Sequence, residues 1–147
     1  MIDKQVSEGG ETSSPIVFRL DPGSGVPTYL QLVHQVEHAL RLGYLDVGDR
    51  LPKVKEVVAG LAINPNTVLK AYRDLERKGL AVGRPGQGTF IAGTLGDRAP
   101  DQLGLLRDLL AWMRTAHEAG LDDDGMVALF TSALHEFRAG RAEEVAR

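Results

Sequence analysis

Residues 64–79 read NPNTVLKAYRDLERKG, which is the most informative stretch of the chain. Asn64 can cap free helical amides and Pro65 suits the first helical position, so a helix over residues 64–78 begins here. Its apolar side chains recur three and four residues apart, which predicts one buried face. They are Val68, Ala71, Tyr72 and Leu75. Gly79 favours the left-handed conformation that ends a helix.

Two further helices are predicted upstream of this stretch. Pro27 opens the first and Gly43 ends it, because proline suits a helix start and glycine suits a helix end. The second runs from Lys53 to Leu61, and only the short turn Ala62-Ile63 separates it from helix 64–78. Both carry apolar residues at helical spacing. These are Tyr29, Leu32, Val33, Val36, Ala39 and Leu40, then Val54, Val57, Val58 and Leu61.

A β-hairpin is predicted downstream of helix 64–78. Two short β-prone runs, 80–82 and 89–91, flank the glycine-rich loop 83–88. Helix, helix, tight turn, helix and hairpin form, in this order, the plan of a winged helix-turn-helix. In that plan the helix after the turn can enter the major groove of DNA, and the hairpin (81–91) is the wing.

The outward side chains fit such a surface. Asn can pair with adenine, Lys with guanine, and Thr with a thymine methyl or a phosphate. The early outward positions of helix 64–78 are Asn66, Thr67, Lys70 and Arg73. The wing adds Arg84, Gln87 and Gly88, and glycine lets a backbone approach a phosphate or a narrow minor groove. The alternative is an ordinary amphipathic helix with a solvated face, followed by an ordinary hairpin turn.

Charge is distributed unevenly along the 147 residues, whose net charge is −3. Residues 50–90 hold eight of the 17 basic residues and only three of the 20 acidic ones. A basic module in an acidic chain is typical of a protein in which one part meets a polyanion. A solvated mixed surface would explain the same pattern.

Four separated blocks of this chain resemble the GntR family of bacterial regulators. They are GDRLP (48–52), NPNTV (64–68), AYRDLERKGL (71–80) and GQGTFI (86–91). The resemblance covers residues 26–92. The NPNTV block and the short two-helix tail are similar to the YtrA subfamily, whose small C-terminal region is taken to dimerise.

The resemblance implies a homodimer on a pseudo-palindromic operator. It also implies DNA contacts for Lys55, Asn64, Asn66, Thr67, Lys70 and the wing around Gly88. Three positions depart from the family pattern. Lys53 stands where serine usually caps the second helix, lysines stand at 55 and 70 where arginine is common, and Ala62 stands where glycine is usual. Lys53 can still meet a phosphate as a point charge, but lysine lacks the bidentate fork of arginine.

The chain divides into three predicted parts: a flexible arm (1–17), the winged helix-turn-helix (18–94) and a helical dimerisation region (95–147). A short extended piece around Phe18 and Leu20 leads into the second part, and a polar linker (93–100) leaves it. Two amphipathic helices, roughly 101–118 and 123–140, form the tail. Two short helices bury little by themselves, so their apolar residues are predicted to form the dimer interface. Those residues are Leu106, Leu109, Leu110, Trp112, Met113, Phe130, Leu134 and Phe137.

Several function classes find no support. The sequence has no cysteine, which excludes thiolate metal sites and disulfides and fits the cytoplasm. We predict no membrane span, secretory signal, catalytic arrangement, cofactor or metal site. His34 and His38 have a metal-chelating spacing without a companion ligand. Asp122, Asp123 and Asp124 are explained by the helix dipole at a helix start.

The favoured hypothesis is a homodimeric operator-binding regulator that acts as a repressor. In it, Lys53, Lys55 and Arg73 attract phosphates. Asn66, Thr67 and Lys70 read the major groove, and the wing residues Arg84, Gln87 and Gly88 engage the minor groove or its phosphates. Two alternatives stay open. One is a winged-helix module that binds another protein, and the other is a regulator that senses a small ligand between the tail helices, beside Trp112. The sequence identifies no effector and no operator.

Overall fold

The computed structural model describes residues 13–95 and 102–146, which belong to two compact units. The elements of the first unit are α1 (Thr28–Leu42), α2 (Val54–Leu61), α3 (Pro65–Arg77), β1 (Ala81–Arg84) and β2 (Gly88–Ile91). Those of the second unit are α4 (Gln102–Glu118) and α5 (Asp123–Val145). A mainly helical fold with one small hairpin confirms the predicted fold class.

Helix α3 is the centre of the first unit. It packs against α1, α2 and β1, and the face it buries consists of the four residues that the periodicity predicts. The Tyr72 hydroxyl donates a hydrogen bond to the carbonyl of Pro52, which ties α3 to the break before α2. Burial raises the pKa of the Tyr72 phenol above its ordinary range.

The turn between α2 and α3 depends on Ala62. This residue has φ 53° and ψ 45°, and among the described residues it is the one non-glycine residue with a positive φ. Its amide donates to the carbonyl of Val58 at 3.0 Å, so the left-handed conformation closes the end of α2. That conformation costs an L-residue about 1–2 kcal/mol, which explains why glycine suits this position.

The hairpin gains a third backbone segment from the residues before α2. Strands β1 and β2 are antiparallel, with Val82 opposite Phe90 and Arg84 opposite Gly88. On the other side of β2, the Leu51 amide donates to the Thr89 carbonyl at 2.9 Å. The base of the wing therefore consists of three segments, namely β1, β2 and the backbone at Leu51. The buried Leu51 side chain fixes them to the helical core.

The core of the first unit extends past both predicted boundaries. Ile16, assigned to the flexible arm, is 2% exposed, and Leu95, assigned to the tail, packs against the same core. The segment before α1 is held because the Gln35 side chain bonds both the amide and the carbonyl of Arg19, at 2.9 Å and 2.6 Å. Residues 1–12 of the predicted arm and residues 96–100 of the predicted linker lie outside the described residues.

The second unit is a pair of helices with little interior. Helix α5 begins at an Asp122 cap, whose carboxylate accepts the Gly125 amide at 2.8 Å, and it ends at Val145, five residues beyond the predicted end. The added residues include alanine and glutamate, which favour helix. Among the described tail residues, Ala116 and Met126 are the buried apolar ones.

Candidate nucleic-acid interface

The first turn of α3 is organised by its cap. The Asn64 side-chain oxygen accepts a hydrogen bond from the backbone amide of Asn66 at 2.8 Å. This oxygen therefore caps the start of the helix. The Asn66 side chain is exposed, whereas Thr67 is half-buried. The helix start thus presents Asn66 more openly than Thr67.

One turn further along α3, two basic side chains point outward. Lys70 and Arg73 are both exposed, and with Glu76 and Arg77 they line one shallow groove. The Lys70 ammonium lies 4.0 Å from the centroid of the Tyr29 ring on α1, within the range of a cation–π contact. Helix α1 thereby contributes to the placement of a side chain on α3.

The wing is built around a tight turn. The Gln87 amide donates to the Arg84 carbonyl at 3.0 Å, and Pro85 and Gly86 fill the central positions of the turn. Gly86 has φ +73°, which suits the third position of a type II turn. The Arg84 guanidinium lies 4.6 Å from the Phe90 ring centroid, so it is held beside the hairpin.

Lys53 and the wing form a second open groove. Its walls are Lys53 at the start of α2 and residues 83–89 of the hairpin. Lys53 makes no capping hydrogen bond to α2, which leaves the helix start with uncapped amides and a cation beside them. Uncapped amides and a nearby cation both favour an anion.

Some basic residues of the 50–90 segment form ion pairs, and others do not. Arg77 pairs with Asp74 at 2.7 Å and Lys78 pairs with Glu37 at 2.7 Å. The hydrogen bond to Glu37 raises the pKa of Lys78 above its ordinary value. Lys55, Lys70, Arg73 and Arg84 make no ion pair within residues 13–95 and 102–146. None of these four has a charged partner there, so their charges are available to a polyanion, although Lys70 and Arg84 also pack against aromatic rings.

The structure brings only some of the predicted residues together. The two grooves collect Lys53, Arg84, Gln87 and Gly88 on one side and Lys70 and Arg73 on the other. Four others, Lys55, Asn64, Asn66 and Thr67, line neither groove. Their roles in DNA contact stay predictions, as do those of the groove residues.

Two residues of this surface were missing from the predicted site. Tyr29 was assigned to the buried face of α1, yet it is half-buried and contacts Lys70. Arg50 belonged to the GDRLP block and to the charge count but was not named as a site residue, and its guanidinium donates to the Gln87 carbonyl in the wing. Sequence periodicity carries no information on a pair 37 residues apart, so only the fold reveals this contact.

The tail residues predicted for the dimer interface are largely uncovered in the chain by itself. Leu106, Leu109, Leu110 and Met113 lie on one face of α4, and Phe130, Leu134 and Phe137 lie on one face of α5. Phe130 is 52% and Phe137 is 61% exposed. Trp112 is half-buried and lies off the α4 stripe, toward Ala116. Trp112 thus differs from the four other predicted residues of α4, which are exposed, whereas Leu134 on α5 is half-buried as well.

Outside this surface, the described residues show little other chemistry. The rings of His34 and His38 stack with centroids 6.5 Å apart on α1. Within residues 13–95 and 102–146, no three histidine or carboxylate side chains are placed to share a metal ion. In the same ranges, no helix combines the length and the apolar character needed to cross a bilayer.

The three helices, the tight turn and the hairpin define a protein of the winged helix-turn-helix class. The profile of the bacterial regulatory proteins of the gntR family matches residues 28–91. The transcriptional regulator YhcF of Bacillus subtilis is 36% identical over 107 residues, which are 71% of this chain and 87% of YhcF. The transcriptional repressor YtrA of the same organism is 40% identical over 76 residues, 52% of this chain and 58% of YtrA.

A solved structure shows the same similarity. The transcriptional antiterminator from Listeria monocytogenes EGD-e has a TM-score of 0.51 and 28% identity, covering 80% of this chain and 89% of that one. The chain belongs to the gntR family of DNA-binding transcriptional regulators, and the YtrA-like subfamily fits it. Its relatives are regulators, which confirms that it is not an enzyme. The match spans little more than half the length of YtrA itself.

Proposed function

We propose that this chain is a sequence-specific operator-binding protein that acts as a homodimeric repressor in the cytoplasm. One observation carries the proposal: α3 presents Lys70 and Arg73 uncompensated beside a wing that carries Arg84, in an otherwise acidic chain. Within residues 13–95 and 102–146 these cations have no acidic partner, so they do not serve an ion pair of the fold. A DNA backbone would supply the missing negative charge.

The proposed contacts are of two kinds: phosphate contacts that position the protein on DNA and base contacts that read its sequence. Lys53, Lys55 and Arg73 meet phosphates, and these contacts set register without reading sequence. Asn66, Thr67 and Lys70 reach base edges in the major groove from the start of α3. The wing engages the minor groove or its phosphates with Arg84, Gln87 and Gly88.

The dimer is proposed from the apolar faces of α4 and α5. Leu109 is 41% exposed and Phe130 is 52% exposed, and such apolar stripes on neighbouring helices favour burial against a second copy. A two-fold dimer matches an operator with two related half-sites, spaced by about 10 base pairs or a multiple of that. Repression is proposed because the relative YtrA is named a transcriptional repressor and occupancy alone can block polymerase.

The test is a binding experiment on DNA selected by the protein. The full chain is used to enrich duplexes from a random-sequence library, and Kd is then measured for the selected duplex and a random one at several salt concentrations. Affinity should fall steeply with salt, and Lys53→Ala should lower the slope of log K against log salt by about 1. Failure to enrich or bind any duplex at low salt would reject the function and favour a protein-binding module.

Lys70→Ala tests the reading role. It should reduce discrimination at one base pair of the selected duplex by about 1–3 kcal/mol if Lys70 contacts guanine. Lys78→Ala is the matched control, since it removes a lysine at the end of the same helix that already pairs with Glu37 and lines neither groove. An equal loss on selected and random DNA would make Lys70 a backbone contact instead.

A further inference from the structure

We propose that Arg50 is a positioning residue that fixes the wing in the orientation needed for DNA. It would act through the Gln87 carbonyl and the Phe90 ring rather than by touching DNA. This inference rests on the proposed function. Arg50 precedes the buried Leu51 and is far in sequence from the wing that it contacts.

Backbone pairing brings Arg50 to the hairpin. Arg50 forms an antiparallel bridge with Phe90, and Phe90 in turn lies opposite Val82. Residues directly opposite one another share a face of a sheet, and so do residues two apart on one strand. Arg50, Phe90, Val82 and Arg84 therefore lie on the same face, while Ala81 and Ile91 are buried on the other.

The Arg50 guanidinium contacts the wing in two ways and lies close to Gly88 as well. One terminal nitrogen donates to the carbonyl of Gln87, at the end of the turn. Its central carbon lies 5.4 Å from the Phe90 ring centroid, and Arg84 lies 4.6 Å from the same centroid. A Cβ on Gly88, which has φ +123°, would come 3.5 Å from the Arg50 Nε. The side chain thus fills the space beneath the turn residues predicted to meet DNA.

These contacts matter because the hairpin alone is short. Each strand has four residues, and an isolated two-stranded hairpin is marginally stable at best. Arg50 ties the turn to the segment that leads into α2. Arg50 and Arg84 also lie against the same Phe90 ring.

A further observation sets this arginine apart. Its Nε is buried, and within residues 13–95 and 102–146 no acceptor bonds to it. A buried donor without a partner is unfavourable for folding. The position of Arg50 is therefore unfavourable for this one nitrogen, which fits a side chain placed for its contacts with the wing.

The first test measures the wing without DNA. Backbone hydrogen exchange of residues 83–91 is compared in the wild-type chain, Arg50→Ala, Arg50→Lys and Arg41→Ala, which removes an arginine from the last turn of α1. Exchange in the wing should accelerate in both Arg50 variants and not in Arg41→Ala, while exchange in α3 stays unchanged. Lysine fails to restore protection because it lacks the planar donor group. Unchanged wing exchange in both Arg50 variants would overturn the proposal.

The second test is a double-mutant cycle on the duplex selected by the wild-type chain. Arg50→Ala should raise Kd about 10-fold in the wild-type background. In an Arg84→Ala, Gln87→Ala background it should raise Kd less than about 2-fold, because effects that share one route do not add. Full additivity, or full rescue of affinity by Arg50→Lys, would show a direct or purely charge-based contact and overturn the proposal. If the wild-type chain selects no duplex, the proposed function fails while the exchange test still judges Arg50.

Discussion

Several leucines of the first unit are buried in its core, whereas those of the tail are largely exposed. In the first unit, Leu32 and Leu75 are 0% exposed inside a core shared by three helices and the hairpin. In the tail, Leu106 and Leu109 are both 41% exposed although they recur at the same helical spacing. An amphipathic pattern therefore sets which face of a helix is apolar, but it does not set what covers that face.

The difference has a physical basis in size. Three helices and a hairpin enclose side chains from several directions, whereas two helices enclose only Ala116 and Met126 among the described tail residues. Small units bury a smaller fraction of their surface and are correspondingly marginal. The first unit should therefore be stable by itself, while the tail should depend on association.

A truncation in the core gives the largest expected effect. Leu75→Ala should lower the free energy of unfolding of the first unit by about 2–5 kcal/mol, because it leaves a cavity where leucine is fully buried. Chemical denaturation should show the same loss at every protein concentration. Leu42→Ala, at a 49% exposed site on α1, is the control and should cost far less. Equal losses at both sites would remove the distinction between core and surface leucines.

A charge on the tail face should act through association instead. Leu109→Asp should weaken the proposed dimer by about 2 kcal/mol or more, since a desolvated apolar contact is replaced by a carboxylate. Analytical ultracentrifugation should show monomer at concentrations where the wild-type chain is dimeric. Ala111→Asp introduces the same charge on the opposite side of α4 and should leave the dimer intact. Dissociation by both variants, or by neither, would contradict the assigned interface.

Removing one hydroxyl from the core should have a moderate effect. Tyr72→Phe should cost the first unit about 1–2 kcal/mol, because the Pro52 carbonyl loses its buried donor. The folded pKa of Tyr72 is raised by burial, so unfolded chains release this proton first as the pH rises. Stability is therefore full below about pH 10 and declines above it, and Tyr72→Phe should flatten that decline. Lys78, whose pKa is also raised, accounts for a remaining slope.

The smallest expected effect is a gain. Ala62→Gly should raise the stability of the first unit by about 0.5–1 kcal/mol, since relief of the left-handed alanine exceeds the added freedom of the unfolded chain. Thermal unfolding should report it as a higher Tm. Ala59→Gly, inside α2, is the opposite control, because glycine there should destabilise. A lower Tm for Ala62→Gly would show that Ala62 is not strained.

Much of the fold followed from local patterns. The cap at Asn64, the buried face of α3 and the hairpin around residues 83–88 are each encoded within a few residues, and the structure has them where the sequence predicts. The domain boundaries stay predictions, and the contacts of Ile16 and Leu95 with the core were not foreseen because short apolar segments carry no periodicity that reveals a distant core. The candidate basic and amide side chains were named from the sequence, and their DNA contacts remain predictions.

The class of this protein is encoded locally, because caps, helical spacing and a proline–glycine turn act over neighbouring residues. Which side chains support the candidate DNA-binding surface depends on how the elements pack in three dimensions. Tyr29 meets Lys70, and Arg50 reaches Gln87, only after helices and strands distant in sequence have packed together. Such contacts depend on how elements pack, and that information is not contained in the periodicity of any one of them.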